Sequence, residues 1–250
     1  MKPVALSIAG SDSSGGAGIQ ADLSAFAAFG VHGATAITAV TAQNRAGVRA
    51  VQIVPPALVR AQIDAVFDDG EVRAAKLGML AEAGIVDAVA DALVRRRPRW
   101  LVIDPVMVAS SGARLLREDA VAALRARLLP LADCLTPNLD EAAALLDVPR
   151  AANEAQMLEQ GRALLALGAR AVLMKGGHAP LPEAVDLLVQ PQGARRFSAP
   201  WIVGADTHGT GCRLSAAIAA SLARGDALEA AVDAAKRHLG EHLRGRLSPA

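Results

Sequence analysis

Tyrosine is absent, and four Phe and two Trp are the only aromatic side chains in 250 residues. That leaves little on which bases or sugar rings could stack, which argues against a nucleic-acid or carbohydrate platform. Cysteine is scarce as well: Cys134 and Cys212 are the only two. Two thiols make no disulfide framework and point to a reducing, cytoplasmic compartment. An excess of one charge is also missing. Lys+Arg 26 against Asp+Glu 25 leaves +1, without the field expected of a nucleic-acid or anionic-membrane binder.

Long apolar runs are missing too. The run Val4–Ala9 is too short for a signal-peptide core, and no small-residue cleavage site follows it. The longest uncharged span, Leu23–Asn44, is broken by Gly30, His32, Gly33, Thr35 and Thr38, and its apolar spacing changes midway. It reads as a helix followed by a strand, since a membrane helix needs about 20 predominantly apolar residues. A hydrophobic fraction of 52% and a mean hydropathy of +0.30 exclude disorder. The expectation is a soluble protein with no membrane or nucleic-acid partner.

What is there is a rhythm of short apolar runs alternating with longer helical patterns. Strands are predicted at Val4–Ala9, Gly33–Thr41, Val48–Val54, Arg73–Met79, Trp100–Asp104, Asp133–Leu135 and Ala169–Met174, with a hairpin at Val185–Val189 and Arg195–Ile202. Helices are predicted at Gly18–Phe29, Pro56–Asp68, Glu82–Arg96, Glu118–Leu129, Leu139–Leu146, Asn153–Leu167, Thr210–Ala223 and Leu228–Arg244. No repeat or linker divides the chain, so residues 1–250 are expected to form one domain. Such alternation predicts a mostly parallel sheet with helices on both faces. An eight-fold barrel fits the length. Strands joined without helices, and two final helices without a strand between them, favour an open three-layer α/β/α sandwich.

The residues least explained by packing follow strands: Gly10–Gly18, Lys76-Leu77-Gly78-Met79, Asp104-Pro105-Val106, Thr136-Pro137-Asn138 and Lys175-Gly176-Gly177-His178. Loops at the carboxyl ends of strands are where open α/β sheets bind ligands. The first loop carries four glycines, which permit close backbone approach. It lacks the Gly-Lys-Ser/Thr of a P-loop, and Ala21 stands where a dinucleotide fingerprint needs its third Gly. A flexible turn is the plain alternative. Asp22 reads either as a ligand contact or as an acid in the first helical turn, where the dipole favours one.

The strongest signal is Asp206-Thr207-His208-Gly209-Thr210-Gly211-Cys212 opening a small-residue helix. Glycines there aim free N–H groups at an anion, and a transferring phosphoryl group is such an anion. Cys212 in that first turn is expected to have a lowered pKa; its alternative is an inert buried residue, the reading given to Cys134. Lys175, at a strand end before two glycines, is a candidate phosphate clamp. Asp104, Asn138 and Glu141 are oxygen donors suited to Mg²⁺, although Glu141 also starts a helix, where acids are common. The histidines lack zinc-ligand spacing, and His238 and His242 read as surface residues.

Together these segments resemble the hydroxymethylpyrimidine/phosphomethylpyrimidine kinases of thiamine biosynthesis, in the ribokinase-like superfamily. The resemblance runs from Ile8 to about Leu239 through Ile8–Asp22, Thr38–Asn44, Lys76–Met79, Asp104–Val108, Thr136–Asn138, Lys175–His178 and Thr207–Cys212. The cysteine of the last motif separates this branch from sugar kinases, which place Asp there. The resemblance implies ATP- and Mg²⁺-dependent phosphorylation of 4-amino-5-hydroxymethyl-2-methylpyrimidine (HMP), then of its monophosphate to the diphosphate.

Carried over, Cys212 would be the base and the backbone of Gly209, Thr210, Gly211 and Cys212 the anion hole. Gln43 and Asp22 would bond the aminopyrimidine beside Gly10, with Met79 and Val106 against the ring. Lys175, Asn138 and Thr207 would serve ATP, and Glu141 with Asp104 the metal. The superfamily's frequent homodimers imply a second copy of the chain as a partner. Four positions depart from the family pattern: Arg213 for a small Thr, Asp206 for Asn, Asp140 for Pro and Arg45 for Thr. Two alternatives stand beside this reading. One is a pyridoxal/pyridoxine kinase, which acts on a similar hydroxymethyl; the other is a non-catalytic pyrimidine sensor.

Overall fold

The computed structural model describes residues 2–44, 46–109, 112, 113, 115–177, 183–204 and 207–247. Arg45, His178 and Asp206, all noted above, lie outside them.

Among the described residues, nine strands form one open sheet in the order β3-β2-β1-β4-β5-β6-β7-β8-β9. The parallel centre is β1 (Val4–Asp12), β2 (His32–Asn44), β4 (Val72–Leu77), β5 (Trp100–Ile103), β6 (Cys134–Leu135) and β7 (Val172–Lys175). Antiparallel strands finish both edges: β3 (Gly47–Ile53) on one, β8 (Ala184–Gln190) and β9 (Gly193–Ala199) on the other. Open edges exclude the barrel. β9 stops at Ala199 rather than Ile202 because Pro200 cannot donate to a ladder.

The helices α1 (Gly18–Ala28), α7 (Thr210–Arg224) and α8 (Leu228–Arg244) cover one face of the sheet. The other face carries α2 (Pro56–Asp69), α3 (Ala83–Arg95), α4 (Glu118–Ala123), α5 (Leu139–Leu146) and α6 (Glu154–Ala166). The expected helix Glu118–Leu129 is shorter than predicted. It passes into a π-turn at Leu124–Leu128 and a 3₁₀ turn at Leu129–Leu131, where Pro130 cannot continue the ladder.

Strand alternation decides which side chains reach which layer. Leu77, Ile103 and Val172 point to the α2–α6 core, whereas Ala5, Ala74, Val102, Cys134 and Leu173 point to the α1–α7–α8 core. Two residues further along each strand, the same face carries Ser7, Lys76, Asp104, Thr136 and Lys175. The apolar register under α7 thus turns polar at the carboxyl ends of five neighbouring strands. His238, expected at the surface, stands edge-on to Phe29, ring centroids 5.5 Å apart, because α8 packs there against the end of α1.

Candidate active site

α7 begins where Gly209 adopts φ 74°, with no side-chain cap on the helix. A Cβ on Gly209 would overlap the carbonyl oxygen of Gly16, and one on Gly16 would strike the His208 ring. The Gly10–Gly18 loop and the turn before α7 are therefore in backbone contact. Asp12 organises the loop: its carboxylate accepts the N–H groups of Ser14 and Ala17, each at 2.9 Å, and faces His208 Nε2 at 3.0 Å. Burial alone would raise the Asp12 pKa, but His208 and these N–H groups hold it below the ordinary value. Ser13 joins the same loop to the end of β2, its hydroxyl donating to Gln43 O and accepting from Gln43 N, both at 2.8 Å.

A small apolar cluster lies on the Gln43 side. Met79, Ala39 and Ala81 form it, with Val106 and Leu115 packed against them. Met79 lies over Gly10, where a Cβ would be 3.4 Å from the thioether sulfur. Thr38 Oγ1 donates to Met79 O at 2.6 Å, which fixes the strand end beneath. Ala81 holds φ 64°, a left-handed conformation unusual for a residue with a Cβ, kept in place by Arg117 N donating to Ala81 O.

On the other side are the charges. Lys175 Nζ donates to Asp104 Oδ1 at 2.7 Å and lies 3.9 Å from Glu141 Oε2. A Cβ on Gly211 would be 3.2 Å from that ammonium, so Lys175 is adjacent to the first turn of α7. Asp104 also accepts from Thr136 and Ser215 hydroxyls at 3.3 and 3.2 Å. Burial works against the Asp104 charge, yet Lys175 and Lys76 keep its pKa below the ordinary value. Burial likewise opposes the Lys175 charge, and Asp104 with Glu141 more than offsets it, setting the ammonium at about 12. Asn138 caps α5 in a reciprocal box with Glu141, its Oδ1 accepting Glu141 N–H at 2.8 Å while Glu141 Oε2 accepts Asn138 N–H at 2.7 Å. Burial pushes Glu141 up to about 7 despite Lys175.

Two expectations from sequence change. Asp22 lies past the first turn of α1, fully buried, and its carboxylate is engaged by Lys76 Nζ at 2.9 and 3.0 Å and by Ser7 Oγ at 2.5 Å. Cys212, expected to have a lowered pKa, has a raised one. Burial is the largest cause; Asp104 and Asp22 add to it, outweighing Lys76 and the N–H of Gly18. Arg213 is buried between helices and donates to Ser24 at 3.1 Å. Cys134 is buried, and burial with Asp133 lifts its thiol to about 12.

The fold thus gathers Cys212, Gly209, Thr210, Gly211, Lys175, Asp104, Asn138 and Glu141 at one sheet end. Gln43, Gly10, Met79 and Val106 lie next to them across the glycine loop. Thr207 accepts Thr210 N–H and hydroxyl at 3.2 and 2.9 Å through its carbonyl. Ser7 and Ser215 were not singled out from sequence; Lys76 and Thr136 lay in segments marked at the binding edge but were given no role of their own. A lysine inside the apolar run Val72–Leu77 was the available signal. A groove of about 500 Å³ between β9 and α8, lined by Phe197, Pro200 and Lys236 among others, includes none of the site residues.

Comparison with known proteins adds four findings. The Escherichia coli K12 hydroxymethylpyrimidine/phosphomethylpyrimidine kinase is 53% identical over 216 residues, covering 86% of this chain and 81% of that protein. A Clostridium difficile phosphomethylpyrimidine kinase structure superposes with a TM-score of 0.86 at 41% identity, covering 96% and 99% of the two chains. A Bacillus subtilis pyridoxal kinase solved with ADP gives 0.88 at 38% identity, covering 95% and 90%. The family profile described as phosphomethylpyrimidine kinase matches residues 12–249, and the chain belongs to that family.

Proposed function

We propose that this chain transfers the γ-phosphoryl group of ATP to the hydroxymethyl oxygen of HMP, and then a second phosphoryl group to HMP phosphate, giving HMP diphosphate for thiamine biosynthesis. The observation that carries the reading is the meeting of Cys212, the glycine turn of α7 and the Lys175–Asp104 pair at one sheet end. Phosphoryl transfer needs positioning and charge stabilisation more than covalent help from the protein. N–H groups at the start of α7 would accept the spread charge of the transferring group, with Lys175 as a fixed ammonium beside them. Thr207 and Asn138 would border the nucleotide phosphates.

In the step itself, the hydroxymethyl oxygen bonds to the γ-phosphorus as the bond to the β–γ bridging oxygen breaks. ADP leaves, and the hydroxyl proton passes to Cys212 Sγ. The thiol must first ionise, since only the thiolate accepts a proton. Gln43 offers a donor and an acceptor to the pyrimidine edge. Met79, Val106 and Gly10 would flank the ring. Asp22 would reach the amino group from a carboxylate that Lys76 and Ser7 already orient.

Mg²⁺ fits the donor set through Glu141 and Asp104, two buried carboxylates beside Lys175. Among the described residues no group of three or more ligand side chains could cage a metal without help. That suits Mg²⁺, which is commonly held by one or two carboxylates together with phosphates. When bound it would neutralise charge on the nucleotide. The same reading takes the chain as one cytoplasmic kinase domain and as a homodimer; exposed Val40 and Val51 on the β2–β3 edge support the latter. Among the described residues no helix is long and apolar enough to cross a membrane.

The test is ATP turnover with HMP, HMP phosphate and pyridoxal in parallel. Faster turnover of both pyrimidines is expected. A large preference for pyridoxal, the substrate named for the B. subtilis structural relative, would overturn the assignment, and pyrimidine binding without ADP release would make the chain a sensor.

A further inference from the structure

We propose that Asp186 and Lys236 are a positioning pair for Lys175: because Lys236 holds the Asp186 carboxylate, the Lys175 ammonium stays with Asp104 at the start of α7. The inference rests on the reading of Lys175 as the ammonium that meets the nucleotide phosphates, and names what keeps it aimed there. Lys175 ends β7, and Asp186 stands directly opposite it on the antiparallel strand β8. Gly176 N–H donates to Val185 O at 2.9 Å, so the two residues form a non-hydrogen-bonded pair, the kind whose side chains lie closest. Their side chains share the face under α7 and α8: Lys175 reaches Asp104, and Asp186 reaches Lys236 of α8. Opposite charges directly across two strands attract, and a four-carbon stem spans the gap. Lys175 thus has a second carboxylate beside it.

That carboxylate is engaged on both oxygens. Asp186 Oδ2 accepts from Lys236 Nζ at 2.6 Å, and Oδ1 accepts Gly176 N–H at 3.0 Å. Lys236 Nζ also donates to the carbonyl oxygens of Ala184 and Phe197 at 3.5 and 3.4 Å, so its three donors all serve the β8–β9 hairpin. The backbone around Lys175 is fixed separately. Lys175 N–H donates to Pro137 O at 2.9 Å, and a Cβ on Gly176 would overlap Val185 O. What remains to be set is the direction of the Lys175 side chain.

Four charges therefore alternate from the end of β5 to α8 as two ion pairs, Asp104–Lys175 at 2.7 Å and Asp186–Lys236 at 2.6 Å, with no member more than 13% exposed. A charge left without its partner in such surroundings is costly. Glu141, 3.9 Å from Lys175, adds to the pull toward the site. Removing the Lys236 charge changes the balance: Asp186 keeps its carboxylate and loses its cation, and the replacement directly opposite is Lys175. That exchange would strip Asp104 of its ammonium. It would also draw the charge away from Gly211, where a Cβ would lie 3.2 Å from Lys175 Nζ.

Removing either member breaks the same buried pair and should lower the melting temperature, yet the two losses should differ in function. Lys236→Met frees a carboxylate that captures Lys175, and should weaken binding of the ATP analogue AMP-PCP about ten- to hundredfold with the Kd for HMP unchanged. Asp186→Asn leaves nothing to capture Lys175 and should keep the wild-type affinity for AMP-PCP; Lys236→Met/Asp186→Asn should recover it. Calorimetric titration of the full chain with each ligand, well below every melting transition, reads these values. A crystal structure of Lys236→Met locates the ammonium directly, and is expected to show Lys175 on Asp186. Should Lys236→Met fail to fold, Lys236→Gln, which keeps a donor for Asp186 without the charge, replaces it with the same expectations. Lys175 still on Asp104 in that structure, or equal losses of AMP-PCP affinity in the two single variants, would overturn the proposal; a merely structural pair predicts equal effects. Wild-type AMP-PCP affinity in Lys175→Met would instead overturn the reading of Lys175 as a phosphate clamp, while the structure still decides where the ammonium goes.

Discussion

Gly15 and Gly209 hold nearly the same left-handed backbone, φ 75° and 74°, in very different surroundings. Nothing lies within 4 Å of a Cβ built on Gly15. At Gly209 that Cβ overlaps the Gly16 carbonyl oxygen and lies 2.9 Å from its carbon and 3.2 Å from Ala17 Cα, all backbone atoms that cannot swing aside. Alanine at either position carries the left-handed cost of about 1–2 kcal/mol. Only Gly209→Ala adds the cost of forcing two backbones apart, about 1–3 kcal/mol.

A domain of this size loses roughly 2–4 °C of Tm per kcal/mol. Gly209→Ala should therefore melt clearly below Gly15→Ala. Catalysis separates the two further. Relief of the overlap requires the glycine loop to retreat from the start of α7 by roughly 1 Å, a misplacement that costs about 10²-fold in rate. Calorimetry with steady-state kinetics on both variants reads each effect. Gly15→Ala should keep kcat within about twofold, since strain there touches no neighbour. Equal losses of kcat in the two variants would refute the claim that loop and helix start form one unit.

Other outcomes follow from the same geometry. Gln43→Ala removes an edge partner of the pyrimidine and should raise KM for HMP about tenfold, with a smaller change in kcat; calorimetric titration of HMP reads it directly. Glu141 titrates at about 7 in the fold against an ordinary value of 4.5, so its ionisation lowers stability as pH rises through that window. Glu141→Gln keeps the capping geometry and removes that cost. In magnesium-free buffer it should match the wild-type protein below pH 4.5 and exceed it above pH 7 by roughly 3 kcal/mol. A stability difference independent of pH would show that the carboxyl is not raised.

Much of this was legible in the chain. Apolar runs separated by helical periods located the strands, and unpaired polar motifs after those runs located the binding edge. The antiparallel edges were visible as strands without intervening helices. What sequence could not show was which distant charges share one volume. Asp22 was read as a ligand contact or a first-turn acid, with no ion-pair partner in view: Lys76 is 54 positions away and meets it only because β4 lies beside β1 under α1. The thiol of Cys212 was judged from its place at a helix start. The deciding facts are its partial burial and the carboxylates of Asp22 and Asp104, supplied by α1 and the end of β5. The π-turn after Ala123 was hidden because its side-chain pattern is that of an ordinary helix.

The most direct check is single-turnover phosphorylation of HMP by Cys212→Ala, with HMP affinity measured on the same sample. Removing a base that acts in the transition state should slow phosphoryl transfer about 10²–10⁴-fold, with the Kd for HMP changed only a few-fold. Transfer at the wild-type rate would show that the hydroxyl proton leaves by another route and that the thiol is not the centre of this site.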